Sequence, residues 1–221
     1  MDPTTLARLI DSSLLRPDAS REEVARHCEE TGALSCAAAV VLPAHLALAA
    51  GVLEGSSTKA CAVVAFPTGA VTNVVLEAEV EDLLAAGAAE LDVVPPLFLF
   101  RSGRYGELVE SIHATAGLVH GAGRLLKVIV EAGLWAPEEL ARVARLAADG
   151  GADFVKTSTG VYGAPATAEQ VRLLRSVLPS SVGVKASGGI SSYERALEMV
   201  GAGATRIGAS SAAKILAEAG L

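Results

Sequence analysis

The sequence predicts a short TIM (β/α)8 barrel that takes in the whole chain, 1–221, as one domain. Three observations predict it. Eight short apolar runs lie between Ile10 and Gly208, each followed by a segment with helical periodicity; alternation at this pace gives parallel strands with right-handed crossovers. The same Gly-Ala pair closes a helix and opens a strand three times, at Gly87-Ala88, Gly151-Ala152 and Gly203-Ala204. Five positions after each of these glycines stand Asp92, Lys156 and Gly208, at equivalent height on the carboxyl-terminal rim where such barrels keep their active sites. A doubly wound open sheet is the second choice, weakened because no G-x-G-x-x-G follows an early strand.

Each element has a local reason. Ile10–Leu15 is the first apolar segment and carries Asp11. Ser20 and Glu23 form an S-x-x-E capping box for a helix to about Glu30, which Gly32 stops. Cys36–Leu42 is a continuous apolar run, as expected of a strand covered on both faces. After Pro43 a helix runs from Ala44 to about Leu53, and Lys59–Phe66 is the next strand, ended by Pro67-Thr68-Gly69. Asn73 is a cap candidate for a helix whose Leu76, Val80, Leu83 and Leu84 share a face, and Glu90–Val94 follows as a strand. Pro95-Pro96 reads as a loop, Tyr105–Val119 as a helix and Leu125–Val130 as a strand. Pro137, with Glu138 and Glu139 behind it, suits a helix start, leading to the strand at Phe154. Thr167 and Gln170 make a second capping box, Val182–Lys185 a strand, Ser191 and Glu194 a further cap, Thr205–Gly208 the last strand, with a final helix from near Ser210.

Composition narrows the function classes. Hydrophobic residues are 51% of the 221, enough for a sizeable core, and 18 Lys+Arg against 25 Asp+Glu leave a net charge of −7. Without a basic run there is no electrostatic basis for binding nucleic acid, and any anion site has to be a local positive spot. Cys28, Cys36 and Cys61 are odd in number and form no C-x-x-C, which reads as reduced, buried thiols of a cytoplasmic protein. Ala33–Leu53 carries no Asp, Glu, Lys or Arg, but Pro43 and His45 interrupt it, so it reads as strand, turn and helix rather than a membrane span. His27, His45, His113 and His120 have no ligand spacing, and no metal is implied. A mean hydropathy of +0.44 on so short a barrel points to apolar surface covered in a homodimer or homotetramer.

The chemistry-bearing stretch is GADFVKTSTG, 151–160. Lys156 stands where a short apolar strand should end. Desolvation there disfavours the ammonium, and a neutral amine is a nucleophile toward carbonyls, as a Schiff-base lysine must be. By itself the position equally suits a lysine snorkelling to solvent. GVKASGGI, 183–190, adds Lys185 at the end of another short strand. Two ammonium groups on neighbouring strands repel, which lowers the proton affinity of one of them. The glycines that follow let backbone N–H groups approach a phosphate.

KTSTG, VKASGG and RIGASS, in this order and spacing, resemble the deoxyribose-phosphate aldolase family, as do IDSSLLRPDAS, VVAFPTGA, ELDVV and LLKVIVE. The resemblance extends from about Leu9 to Ile215. It implies a class I aldolase without cofactor that cleaves 2-deoxy-D-ribose 5-phosphate reversibly to D-glyceraldehyde 3-phosphate and acetaldehyde. It implies Lys156 as the covalent residue, Lys185 as its electrostatic perturbant and Asp92 as a proton shuttle acting through water. It places the phosphate at Gly188, Gly189, Gly208, Ser210 and Ser211 with Gly160 nearby, while Asp11 and Lys127 could complete the polar cluster or be structural. The chain departs from frequent family patterns at Ser12-Ser13, Pro95–Phe98 and Val161-Tyr162, around the substrate. Another lysine-dependent sugar-phosphate aldolase and a non-catalytic sugar-phosphate binder are the alternatives.

Overall fold

The computed structural model describes residues 1–221. Eight parallel strands hydrogen-bond in chain order and close on themselves, β8 pairing with β1. The strands are β1 Ile10–Leu14, β2 Ala38–Val41, β3 Lys59–Val64, β4 Glu90–Val93, β5 Leu125–Ile129, β6 Phe154–Lys156, β7 Gly183–Ser187 and β8 Arg206–Ala209. The helices are α1 Pro3–Ala7, α2 Arg21–Ala33, α3 Leu46–Val52, α4 Asn73–Ala85, α5 Leu97–Arg101, α6 Tyr105–Gly121, α7 Pro137–Asp149, α8 Ala168–Val177, α9 Tyr193–Gly201 and α10 Ala212–Glu218. No helix is long and apolar enough to cross a membrane. Ala33–Leu53 divides into the end of α2, strand β2, a 3-10 turn at Pro43–His45 and α3.

Local signals set half of the helix starts. Ser20 accepts from the Glu23 N–H at 3.2 Å while Glu23 accepts from the Ser20 N–H at 2.8 Å, and Thr167 and Gln170 reciprocate in the same way. Two expected caps are displaced by one residue. Thr72, in extended conformation, is the N-cap of α4; the Asn73 side chain is instead occupied, accepting from the Ser111 hydroxyl at 3.0 Å. Ser192, not Ser191, caps α9 by accepting from the Arg195 N–H. α2 runs through Gly32 to Ala33. Leu97–Arg101, expected as loop, is helical and packs Phe100 edge-on against Trp135, with centroids 4.8 Å apart. Strand β7 continues two residues past Lys185 to Ser187.

Outside the barrel, apolar faces of strands and helices form one continuous core. Inside, the strand register sorts side chains into layers. From Asp92 on β4, the paired positions on β5 and β6 are Lys127 and Phe154. A barrel of this shear rises one residue per strand, so the β6 residue level with Asp92 is Lys156. Continued around the barrel, the same rule gives Gly208 on β8, Val40 on β2, and Asp92 again. Asp92, Lys156 and Gly208 therefore share a layer, as the glycine repeat predicts. One layer below, the odd strands supply Asp11, Cys61, Lys127 and Lys185; below that, the even strands supply Ala38, Glu90, Phe154 and Arg206. Only the side formed by Ala38, Val40, Cys61 and Val63 is an apolar cluster; the rest of the interior is largely ionic.

Candidate active site

The ionic side chains close a ring. Arg206 bonds the Asp11 carboxylate, and Asp11 accepts from Lys185 Nζ at 2.5 Å. Lys185 also donates to Asp92 Oδ2 at 2.7 Å, and Lys127 donates to Asp92 Oδ1 at 2.9 Å. Lys127 lies 2.6 Å from Glu90 Oε2, an ion pair without hydrogen-bond alignment, and Glu90 Oε1 accepts from Arg206 at 2.7 Å. Three cations and three anions alternate around this circuit. Lys156 is outside it, held by one contact, 2.8 Å to Asp92 Oδ2. If every group is charged, four cations face three anions; with Lys156 neutral the charges balance.

Electrostatics follow from that arrangement. Burial holds the Lys156 ammonium below the usual lysine value; Asp92 opposes this, and the Lys185 charge reinforces it. Burial would lower Lys185 as well, but Asp11 and Asp92 outweigh it and keep Lys185 above its ordinary value. Lys127 stands well above, burial being overcome by Asp92 with its other partners. Burial would raise both aspartates, yet Lys127, Lys156 and Lys185 hold Asp92 well below the carboxylate range, and Lys185, Lys127 and Arg206 hold Asp11 at about 2. The barrel thus holds one amine whose proton affinity is lowered among cations whose proton affinity is raised.

Above the ring opens a cavity of about 380 Å³. Lys156, only 4% exposed, and Lys185 reach its floor together with Asp11 and Gly208. Gly208 is required by space: a Cβ there would come within 2.8 Å of Ser187 Cβ and 3.2 Å of Lys185 Cε. Gly160, Gly188, Gly189 and Ser210 line the wall. Gly188 and Gly189 have φ of 98° and 73°, consecutive left-handed residues of the kind that turn backbone N–H groups toward an anion. The KTSTG turn is pinned from below by the buried Glu131 carboxylate, which accepts from the Thr159 hydroxyl at 2.6 Å and its N–H at 3.1 Å. Burial keeps that carboxyl above its ordinary value.

The candidates fall into three groups. Lys156, Lys185, Asp11, Gly160, Gly188, Gly189, Gly208 and Ser210 converge on the cavity. Asp92 and Lys127 are fully buried; Asp92 touches the cavity lysines Lys156 and Lys185, and Lys127 is linked to them through Asp92. Ser211 is the N-cap residue of α10, without a side-chain cap bond, and is not on the cavity wall. Sequence reasoning missed Arg206 and Glu90, although each lies two residues before a chosen residue, Gly208 and Asp92, and so on the same strand face. It also missed Cys61, whose thiol faces Asp92 Oδ1 at 3.4 Å, and Arg16, the one cation besides Lys156 and Lys185 to line the cavity. No group of three or more His, Cys, Asp or Glu side chains is arranged to hold a metal ion.

Comparison with known proteins identifies relatives of the whole chain. Residues 1–220 match the family model described as DeoC/LacD family aldolase. A deoxyribose-phosphate aldolase of Alkaliphilus oremlandii is 39% identical over 211 residues, 96% of this chain and 95% of the relative. The tetrameric deoxyribose phosphate aldolase from Aeropyrum pernix superposes with a TM-score of 0.92 at 39% identity, covering 98% of this chain and 91% of that one. A crystal structure from Coccidioides immitis superposes with a TM-score of 0.96 at 32% identity, covering 100% of this chain and 88% of that one.

Proposed function

Because the chain belongs to the DeoC/LacD family of aldolases, we propose that it cleaves 2-deoxy-D-ribose 5-phosphate reversibly to D-glyceraldehyde 3-phosphate and acetaldehyde, with Lys156 as the Schiff-base residue. The observation that carries the assignment is the single ion-pair contact of Lys156 at the floor of the cavity. Neutral Lys156 Nζ adds to the C1 aldehyde of the open-chain sugar, and loss of water gives the iminium. The C2–C3 bond then breaks. Its electron pair enters the iminium to form an enamine, the C3 hydroxyl gives up its proton, and glyceraldehyde 3-phosphate departs. Protonation at C2 and hydrolysis release acetaldehyde and restore the amine. We assign the relay of these protons to Asp92 acting through water; Lys185 keeps its own proton and disfavours one on Lys156.

The phosphate is assigned to the wall formed by Gly188, Gly189 and Ser210, with Gly160 and Gly208 adjacent; a cavity of about 380 Å³ is of the size that holds a small phosphorylated sugar. Ser211 contributes through the start of α10 rather than from the wall. Asp11 and Lys127 act as supports through the ring. The barrel functions as one domain in the cytoplasm, where its three cysteines stay reduced; burial pushes the Cys28 thiol to about 11 and the Cys36 thiol to about 12. It assembles with itself, covering exposed apolar residues such as Val74 and Phe98.

The test is borohydride trapping with 2-deoxy-D-ribose 5-phosphate and peptide mass spectrometry, beside a cleavage assay. One adduct per chain at Lys156, abolished with turnover in Lys156→Ala, is expected. An adduct at Lys185 or Lys127 would reassign the nucleophile; no cleavage at all would leave a sugar-phosphate binder.

A further inference from the structure

Arg206 and Glu90 lie in the lowest layer of the barrel interior, beneath the cavity and away from any position a substrate reaches. They are nonetheless joined to the site at both ends. Arg206 is bonded to Asp11, the partner of Lys185; Glu90 is paired with Lys127, the partner of Asp92; and the two bond each other at 2.7 Å. Without them the four inner groups, Asp11, Lys185, Asp92 and Lys127, still balance in charge, but Asp11 and Lys127 face each other only at 3.5 Å and each lacks its shorter partner below. Arg206 and Glu90 supply those partners and add one charge of each sign, so the six-membered ring stays neutral only while both are present. A guanidinium also stays charged throughout the working pH range, so its member of the ring is a fixed cation.

We propose that Arg206 and Glu90 are positioning residues, a matched pair that holds Asp11 and Lys127 from below and keeps the ring of alternating charge neutral, so that Lys156 remains the one surplus cation of the barrel interior, the amine that gives up its proton. The inference deepens the Schiff-base reading and rests on it. The charged and titratable groups that face Lys156 are few: Asp92 on β4 in direct contact, Lys185 on β7 sharing that carboxylate oxygen, the Cys61 thiol on β3, and Glu131 after β5 beyond Thr159. Each of the first three lies in the ring or touches it. Asp11 on β1, Lys127 on β5 and Arg206 on β8 complete the set, and β2 contributes only Ala38 and Val40. Any change in ring charge therefore reaches Lys156 by way of Asp92 and Lys185, the ring members beside it. Removing a cation from the ring makes it an anion, which Lys156 neutralises by keeping its proton. Removing an anion does the reverse, and removing one of each restores the starting balance.

The experiment measures the neutral fraction of Lys156 directly, independent of turnover. Reductive methylation by formaldehyde and cyanoborohydride is followed against pH, with Lys156 quantified by peptide mass spectrometry. Arg206→Met is expected to move the labelling midpoint of Lys156 up by about one pH unit, a factor of about ten in neutral amine. Adding Glu90→Gln to that variant is expected to bring the midpoint back, and Arg206→Lys, which keeps the charge, to leave it in place. The acid limb of kcat/KM should follow the same order. A merely structural role would lower activity and melting temperature without moving the midpoint. An unmoved midpoint in Arg206→Met, or a shift that Glu90→Gln fails to reverse, overturns the proposal. If Arg206→Met does not fold, Glu90→Gln alone decides it: the midpoint should fall, and a fixed midpoint counts against the ring. Failure of the aldolase reading would show separately, as wild-type protein that labels as expected but neither cleaves nor traps the sugar.

Discussion

Lys156→Met and Lys127→Met remove the same group from neighbouring strands, yet the ring makes their consequences opposite. Lys127 has three carboxylate partners, Glu90 at 2.6 Å, Asp92 at 2.9 Å and Asp11 at 3.5 Å, and is wholly buried. Its loss leaves buried carboxylates short of a cation, and breaking a buried pair in this way costs about 3–5 kcal/mol. For a domain of this length each kcal/mol moves the melting temperature by roughly 2–4 °C, so Lys127→Met should melt about 6–20 °C early. Lys156 has one partner and is the surplus charge. Methionine matches its volume and removes a desolvated ammonium, so Lys156→Met should stay within about 1 kcal/mol of the parent or exceed it, while losing all turnover and trapping. Fluorescence of the single tryptophan, Trp135, packed on Phe100, reports unfolding for both, and urea titration gives the free energies. If Lys156→Met proves as unstable as Lys127→Met, Lys156 belongs to the ring and the surplus-charge reasoning fails.

Three further outcomes are expected. Asp11 has its folded value depressed from 3.8 to about 2, so its contribution is present above 3.8 and lost as pH falls through about 2; urea midpoints should drop over that window, and Asp11→Asn should flatten the drop. Gly208→Ala, whose Cβ would meet Ser187 Cβ at 2.8 Å and Lys185 Cε at 3.2 Å, should cut kcat by about tenfold to a hundredfold, since misplacement near 1 Å has that effect; unaltered kcat would show that Lys185 can shift freely. Ser210→Asp should raise KM for 2-deoxy-D-ribose 5-phosphate at least about tenfold and change that for unphosphorylated deoxyribose far less. Equal losses on both substrates would move the phosphate elsewhere.

The order of elements was legible because each strand is a short apolar run and half of the helices carry a local start signal. Lys156 was legible because a lone ammonium ending an apolar run has a desolvation cost visible in the sequence. Ring closure was not. Asp11 meets Arg206 across the β1–β8 seam, and Glu90 meets Arg206 across the barrel; both contacts depend on register between distant segments. The misplaced caps have a similar origin. Asn73 is chemically a good cap, but tertiary packing gives its side chain to Ser111. Leu97–Arg101 forms a helix after a diproline because Phe100 finds Trp135, a partner that no local pattern reveals.

All six ring members and Lys156 stand on strands, whereas the glycines and serine assigned to the phosphate stand in the segments that follow β7 and β8. As proposed, the chemistry and the recognition are therefore carried by mechanically separate parts of one chain. On the proposed reading, loops beyond β7 and β8 can be lengthened, shortened or exchanged without disturbing the ion-pair distances around Lys156, because those ion pairs join strand to strand. Such a barrel is evolvable in one direction and rigid in the other: new carbonyl substrates are accessible by remodelling the rim, while the amine beneath them is hard to alter without unmaking the interior that folds the protein.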